Sequence, residues 1–141
     1  MILDHAAIWT PQIEKLKAYY IQFFGACSNE KYVNAGTGFE SYFLHFDSGA
    51  RLEIMSKPGI PPNANDTIGS QHLGLIHLAF ALPTREEVNR KAVEIAAGGF
   101  PILRGPRQTG DGYYEFETLD PDNNRIEVTT LQGAASVSEK S

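Results

Sequence analysis

The feature that most limits what this chain can fold into is an internal repeat, because a duplicated unit must be satisfied twice by one architecture. Asp4-His5-Ala6-Ala7-Ile8 resembles Ile76-His77-Leu78-Ala79-Phe80, with the histidines 72 positions apart. Thr10 and Gly25 then align with Thr84 and Gly99, and Arg51-Leu52-Glu53-Ile54 with Arg125-Ile126-Glu127-Val128, all at an offset of 74. A single two-residue gap therefore brings the halves into register.

Each half opens on a strand signal, residues 2–9 and 74–82; Leu78, Phe80 and Leu82 alternate with His77, Ala79 and Ala81. A helix follows in each. Thr10-Pro11 supplies an N-cap and first turn, Ile13, Leu16, Tyr20, Phe23 and Phe24 recur at helical spacing, and Gly25 ends the segment. Thr84-Arg85-Glu86-Glu87 has the form of a capping box, with Val88, Ala92, Val93 and Ile95 as the apolar stripe and Gly98-Gly99 as the stop. Three strands complete each unit, near 31–35, 39–47 and 50–56, and near 101–104, 112–119 and 124–130. Asp47-Ser48-Gly49 and Asp120-Pro121-Asp122-Asn123-Asn124 carry turn chemistry before the last strands. The result is one domain over 1–131: a module 1–56, a Pro/Gly/Asn-rich linker 57–72, and a module 73–131. The small, polar tail 132–141 reads as disordered.

Composition removes several function classes. The 17 acidic against 12 basic residues give a net charge of −5, with the basic residues scattered, so nothing marks a nucleic-acid or anionic-membrane partner. No window approaches the roughly 20 apolar residues of a membrane span, and the N-terminus lacks a signal-peptide pattern. A lone Cys27 excludes an internal disulfide and fits a reducing, cytoplasmic setting.

The repeat pairs His5 with His77 and Glu53 with Glu127. On an alternating strand, residues i and i+2 share a face, so Arg51, Glu53 and Met55 lie opposite Leu52 and Ile54, and Arg125, Glu127 and Thr129 opposite Ile126 and Val128. The apolar sides must meet the helices. Both carboxylates, with His77 and its small neighbours Ala79 and Ala81, are left on the other face. Two neutral imidazoles and two carboxylates suit one borderline first-row divalent ion, Zn, Ni, Co, Mn or Fe(II), and ligand type does not choose among them. Six-coordination would leave two positions open for water or substrate.

The order of elements, together with Asp4-His5, the Tyr19-Tyr20 to Phe24-Gly25 helix end, Leu52-Glu53-Ile54, Ile76-His77-Leu78-Ala79-Phe80 and Asp120 to Glu127, resembles the vicinal oxygen chelate superfamily, also called the glyoxalase, bleomycin resistance and extradiol dioxygenase superfamily. The resemblance covers residues 1 to about 131. It implies an α+β fold in which two βαβββ modules form a cupped mixed sheet around a metal, commonly in a homodimer. The ligand set His5, Glu53, His77 and Glu127 is most similar to that of bacterial lactoylglutathione lyases, or glyoxalase I. Fosfomycin-type thiol transferases and extradiol dioxygenases use two His and one Glu, methylmalonyl-CoA epimerase has Gln where Glu53 stands, and bleomycin-binding members lack the set.

By this resemblance the chain is a divalent-metal-dependent lyase or isomerase working on a small vicinal-oxygen substrate through an enediolate-type intermediate. Glu127 is then the base, and Glu53 its counterpart. Lactoylglutathione lyases typically hold glutathione with an Arg four residues after the first His and an Asn four after the first Glu. Here those positions are Trp9 and Lys57, which argues against glutathione itself and makes both pocket candidates. The alternatives are a non-catalytic protein that sequesters a small molecule such as an antibiotic or toxin, and an epimerase or dioxygenase of the same superfamily.

Other residues carry less. Cys27 reads as a buried structural thiol with no His arranged near it, His45 as structural, and His72 as surface. Gly105 to Gly112 is glycine-rich but leads into a strand, which makes it a rim or lid instead of a phosphate loop, with Arg104 and Arg107 available to an acidic substrate.

Overall fold

Alternation along the closing strands decides how each half packs. In the computed structural model, which describes residues 1–131, β5 (Arg51–Ser56) buries Leu52 and Ile54, and β9 (Arg125–Thr130) buries Ile126 and Val128. The tail expected to be disordered, 132–141, lies outside the described residues. The described chain divides into two compact units, the first ending at Ala64 and the second beginning at Asn65, a boundary inside the segment read as a linker.

In the first unit, β1 (His5–Trp9) pairs in parallel with β5, and β4 (Phe39–His45) pairs antiparallel on the other side of β5. The outer edge is carried by two short pieces on β4, β2 (Cys27–Ser28) and β3 (Tyr32–Asn34). The second unit repeats the scheme without the split: β6 (His77–Leu82), β9, β8 (Tyr114–Leu119) and β7 (Ile102–Gln108), in that order, with β6 parallel to β9. Helix α1 (Ile13–Phe24) packs on β4 and β5, and α2 (Arg85–Ala97) on β7, β8 and β9. Tyr20, Leu16, Leu44 and Ile54 are fully buried in one core, and Val88, Ile95, Phe116 and Ile126 in the other. This is the expected α+β architecture of two repeated modules, each a mixed sheet with one helix packed on it.

Several local expectations need correction. The first strand begins at His5, not 2, and β6 at His77, not 74, because Ile2, Leu3, Leu73 and Leu75 are solvent-exposed and outside either ladder. Thr10 does not cap α1; its Oγ1 accepts from the Gln12 N–H, and the helix starts at Ile13 with Gln12 as N-cap, leaving Pro11 outside. The Thr84 capping box does form, with Thr84 Oγ1 accepting from Glu87 N–H and the Glu87 carboxylate accepting in return. Val93 is exposed, so the α2 stripe is Val88, Ala92 and Ile95. Gly25 closes α1 at φ 65°, the left-handed value glycine adopts without a Cβ clash.

Candidate functional site

Parallel pairing sets the histidine–glutamate spacing. His5 lies opposite Arg51 and Ala7 opposite Glu53, so His5 reaches Glu53 along a diagonal; His77–Arg125 and Ala79–Glu127 reproduce the diagonal in the second unit. In both cases the residue facing the carboxylate is alanine, which leaves the space above it open. His5 Nε2 is 4.0 Å from Glu53 Oε1, and His77 Nε2 is 3.4 Å from Glu127 Oε2. Both carboxylate side chains are mostly buried at 16% exposure. The sequence-derived set therefore resolves into two His–Glu pairs, one built by each unit.

Glu127 is strongly perturbed. Its carboxyl is pushed up to about 7, first by burial, then by a hydrogen bond with Glu115 that requires a shared proton, then by the negative charges of Glu115, Glu117 and Asp111. The β8–β9 turn fixes its strand. Asp120 is buried and its carboxylate accepts from the N–H groups of Asp122 and Asn124 and from the Asn124 amide, while Asn123 takes the left-handed φ of 64°.

Sequence reasoning missed Glu117. It lies directly opposite Glu127 in the β8–β9 register, is buried at 7% exposure, and has a donor atom within 4.8 Å of donors on both His77 and Glu127. Its Oε2 accepts from Arg125 Nη1 at 3.4 Å and forms an ion pair with Arg104 Nε at 3.3 Å. Arg125, also buried, spends its other donors on the carbonyls of Thr67 and Ile68, at 2.7 and 3.1 Å. The signal was there in the alternation of β8, where Glu115 and Glu117 sit opposite buried Phe116 and Thr118. It was masked because the position of Glu117 in the first unit's repeat is held by Phe43.

Donor chemistry and spacing fit a divalent ion. Ligand bonds of about 2.1 Å to nitrogen and carboxylate oxygen put adjacent donors about 3.0–3.4 Å apart, and the His77–Glu127 separation is 3.4 Å. Thr129 Oγ1, two residues beyond Glu127 on the same strand face, is buried with no hydrogen-bond partner among the described residues, an orphan of the kind that marks a ligand's place. Glu117 has one oxygen committed to two guanidiniums, leaving His77 and Glu127 as the freer donors of the cluster.

The remaining candidates separate. Trp9 is on the His5 face of β1, 42% exposed and edge-on to Phe39 at 6.0 Å, while Lys57 is exposed just past β5. Cys27 is exposed, contrary to expectation, because β2 is an outer edge strand; it faces His45 across the β2–β4 pairing, so a histidine does lie opposite it. The segment from Gly105 to Gln108 is strand, not loop. A register irregularity between Arg104 and Arg107 sets these two arginines opposite Glu117 and Glu115. No helix among the described residues is long and apolar enough to cross a membrane.

Two mixed-sheet modules, each with a histidine on its opening strand and a glutamate on its closing strand, define a vicinal oxygen chelate protein. The family model described as the Glyoxalase/Bleomycin resistance protein/Dioxygenase superfamily matches residues 2–128, and the chain belongs to that superfamily. Its fold is shared with a glyoxalase family protein from Bacillus cereus at TM-score 0.77 and 12% identity, covering 92% of this chain and 93% of the other. The trypanothione-dependent glyoxalase I of Leishmania major gives TM-score 0.72 and 16% identity over 99% of this chain and 93% of that enzyme. A genomically encoded fosfomycin resistance protein from Listeria monocytogenes, complexed with Mn(II) and sulfate, gives 0.69 and 18% over 96% of both. No curated protein matches the chain.

Proposed function

We propose that the protein is a divalent-metal-dependent lyase or isomerase of the glyoxalase type, taking a small substrate with oxygens on neighbouring carbons. The observation that carries this reading is the His77–Glu127 pair, its donors at ligand spacing and its carboxyl held near neutrality. The proposed ligands are His5, Glu53, His77 and Glu127. The ion would act as a Lewis acid for the paired oxygens. Glu127 removes a proton from the carbon beside them once the substrate's oxygens have taken its place as ligands; burial and the carboxylates around it then raise its proton affinity toward what a base needs near neutral pH. Glu53 is the corresponding group of the first unit and returns the proton. Trp9 and Lys57 line the substrate pocket in this reading, and their chemistry disfavours a glutathione conjugate.

Elemental analysis of untagged protein purified without chelators is the first test. One ion per chain, lost in His5→Ala and in His77→Ala, is the expected result. Turnover is then sought with hemithioacetals of 2-oxoaldehydes built from several thiols. Glu127→Gln should abolish it with the fold kept; full activity in that variant removes Glu127 as the base. A second reading, a small-molecule sequestering protein, is favoured by the exposed aromatics Trp9 and Tyr32, both packed on Phe39 at 6.0 Å. Protein that stays metal-free after dialysis against Zn, Ni, Co and Mn would decide for it. The active species is proposed to be a cytoplasmic homodimer, against which a sole 15.5 kDa species in sedimentation would count.

A further inference from the structure

Asp4 stands just outside β1, yet three groups converge on it. Its Oδ2 accepts from His5 Nδ1 at 2.6 Å and from Arg51 Nη2 at 2.7 Å, and its backbone carbonyl accepts from the Arg51 N–H at 3.0 Å. Arg51 in turn lies over the Phe43 ring, 4.4 Å from its centroid, and that ring meets His5 edge to face at 5.3 Å. The imidazole is thus bracketed by a carboxylate at one nitrogen and an aromatic wall at its side.

An ionised carboxylate oxygen only accepts hydrogen bonds, so the nitrogen beside it must carry the proton. The same Oδ2 is held by the Arg51 guanidinium, a group that can only donate, so the carboxylate is fixed in place as the acceptor for Nδ1. The proton on Nδ1 leaves the lone pair on Nε2, the nitrogen 4.0 Å from Glu53. We propose that Asp4 is a positioning residue that fixes the tautomer and ring orientation of His5, so that Nε2 is presented as a donor to a divalent cation. The proposal rests on the reading of His5 as a metal ligand. The device belongs to one half only: the residue before His77 is Ile76, which can accept nothing through its side chain. His5 is therefore preset, whereas His77 has no carboxylate at the matching place.

Metal ligation by histidine generally relies on such an outer partner, and removing it weakens binding about 10- to 100-fold. The test begins on metal-free, isotope-labelled protein at about pH 8, where long-range proton–nitrogen NMR correlations report which ring nitrogen is protonated. His5 should be in the Nδ1–H form in the wild type and move toward Nε2–H in Asp4→Ala, with the His77 pattern unchanged as an internal reference. Asp4→Asn, which keeps an accepting oxygen, should retain the wild-type tautomer. Co(II) titration of the same proteins should then show about tenfold weaker binding in Asp4→Ala. An Nε2–H form in the wild type, or a tautomer indifferent to Asp4→Ala, overturns the proposal. Failure of Co(II) to bind the wild type while the tautomer shift persists overturns the metal reading alone.

Discussion

Replacing Glu127 by Gln should make the metal-free protein more stable at alkaline pH, the reverse of what losing a buried charged partner usually does. The folded-state carboxyl is raised from 4.5 to about 7, so the native protein binds this proton more tightly than the unfolded chain does. Below pH 4.5 both states are protonated and nothing is lost; as pH rises from there to about 7 the unfolded chain releases a proton that the native state keeps, so stability falls, and above about 7 the native state holds the buried charge at full cost. Fully expressed, that difference in proton affinity corresponds to about 3 kcal/mol. The side chain keeps 16% exposure, and solvent screening reduces the expected penalty to about 1–2 kcal/mol. Glutamine has nearly the same shape, carries no charge, and can donate its amide to Glu115. Urea denaturation of both proteins in chelator, from pH 4.5 to pH 8.5, should show curves that nearly coincide at the acid end and diverge in favour of Glu127→Gln above pH 7. Saturating Co(II) should reverse the order, because only the carboxylate is a good ligand. A variant less stable than the wild type at pH 8 without metal, or a gap that does not change with pH, would refute the electrostatic account of this site.

The two repeat-related arginines should respond unequally. Arg125→Met breaks a buried pair with Glu117 and frees two carbonyls of the preceding segment, an expected loss of about 3–5 kcal/mol in urea denaturation, whereas Arg51→Met, at a partly exposed position, should lose less than about 1. Thr84→Ala removes the reciprocal cap of α2 and should lower stability by about 1 kcal/mol in the same assay. Gly105→Ala would drive a Cβ into the Glu115 carbonyl oxygen at φ 80°. A loss of about 2 kcal/mol or more is expected, together with altered amide shifts in β7 and β8 by NMR.

The strand faces that present His5, Glu53, His77 and Glu127 were legible because two signals coincide there. Period-two alternation assigns the face, and the repeat assigns the partner, as the burial of Leu52, Ile54, Ile126 and Val128 bears out. What stayed hidden lacked one or the other. β2 is two residues long, too short for any periodicity, and its edge position is why Cys27 is exposed. The register irregularity in β7 breaks alternation where Arg104 and Arg107 come to face Glu117 and Glu115, so the segment resembles a loop. Glu117 eluded a search for matched pairs because it is unmatched. The misplaced cap at Thr10 has a local cause: its hydroxyl does accept a backbone N–H, but that of Gln12, making a turn before the helix instead of its first cap.

The diagonal from histidine to glutamate belongs to the backbone ladder of β1–β5 and β6–β9, not to the side chains around it. The halves have accordingly diverged without disturbing it: Phe43 became the counterpart of Glu117, and Asp4 that of Ile76. One half-site is hemmed by an aromatic ring and a cation, the other by carboxylates and guanidiniums. The same ladder therefore carries two unlike settings for one His–Glu pair. In one unit the imidazole is held by a carboxylate and an aromatic ring, in the other the glutamate is held among carboxylates and guanidiniums, so equivalent substitutions in the two units should have unequal effects.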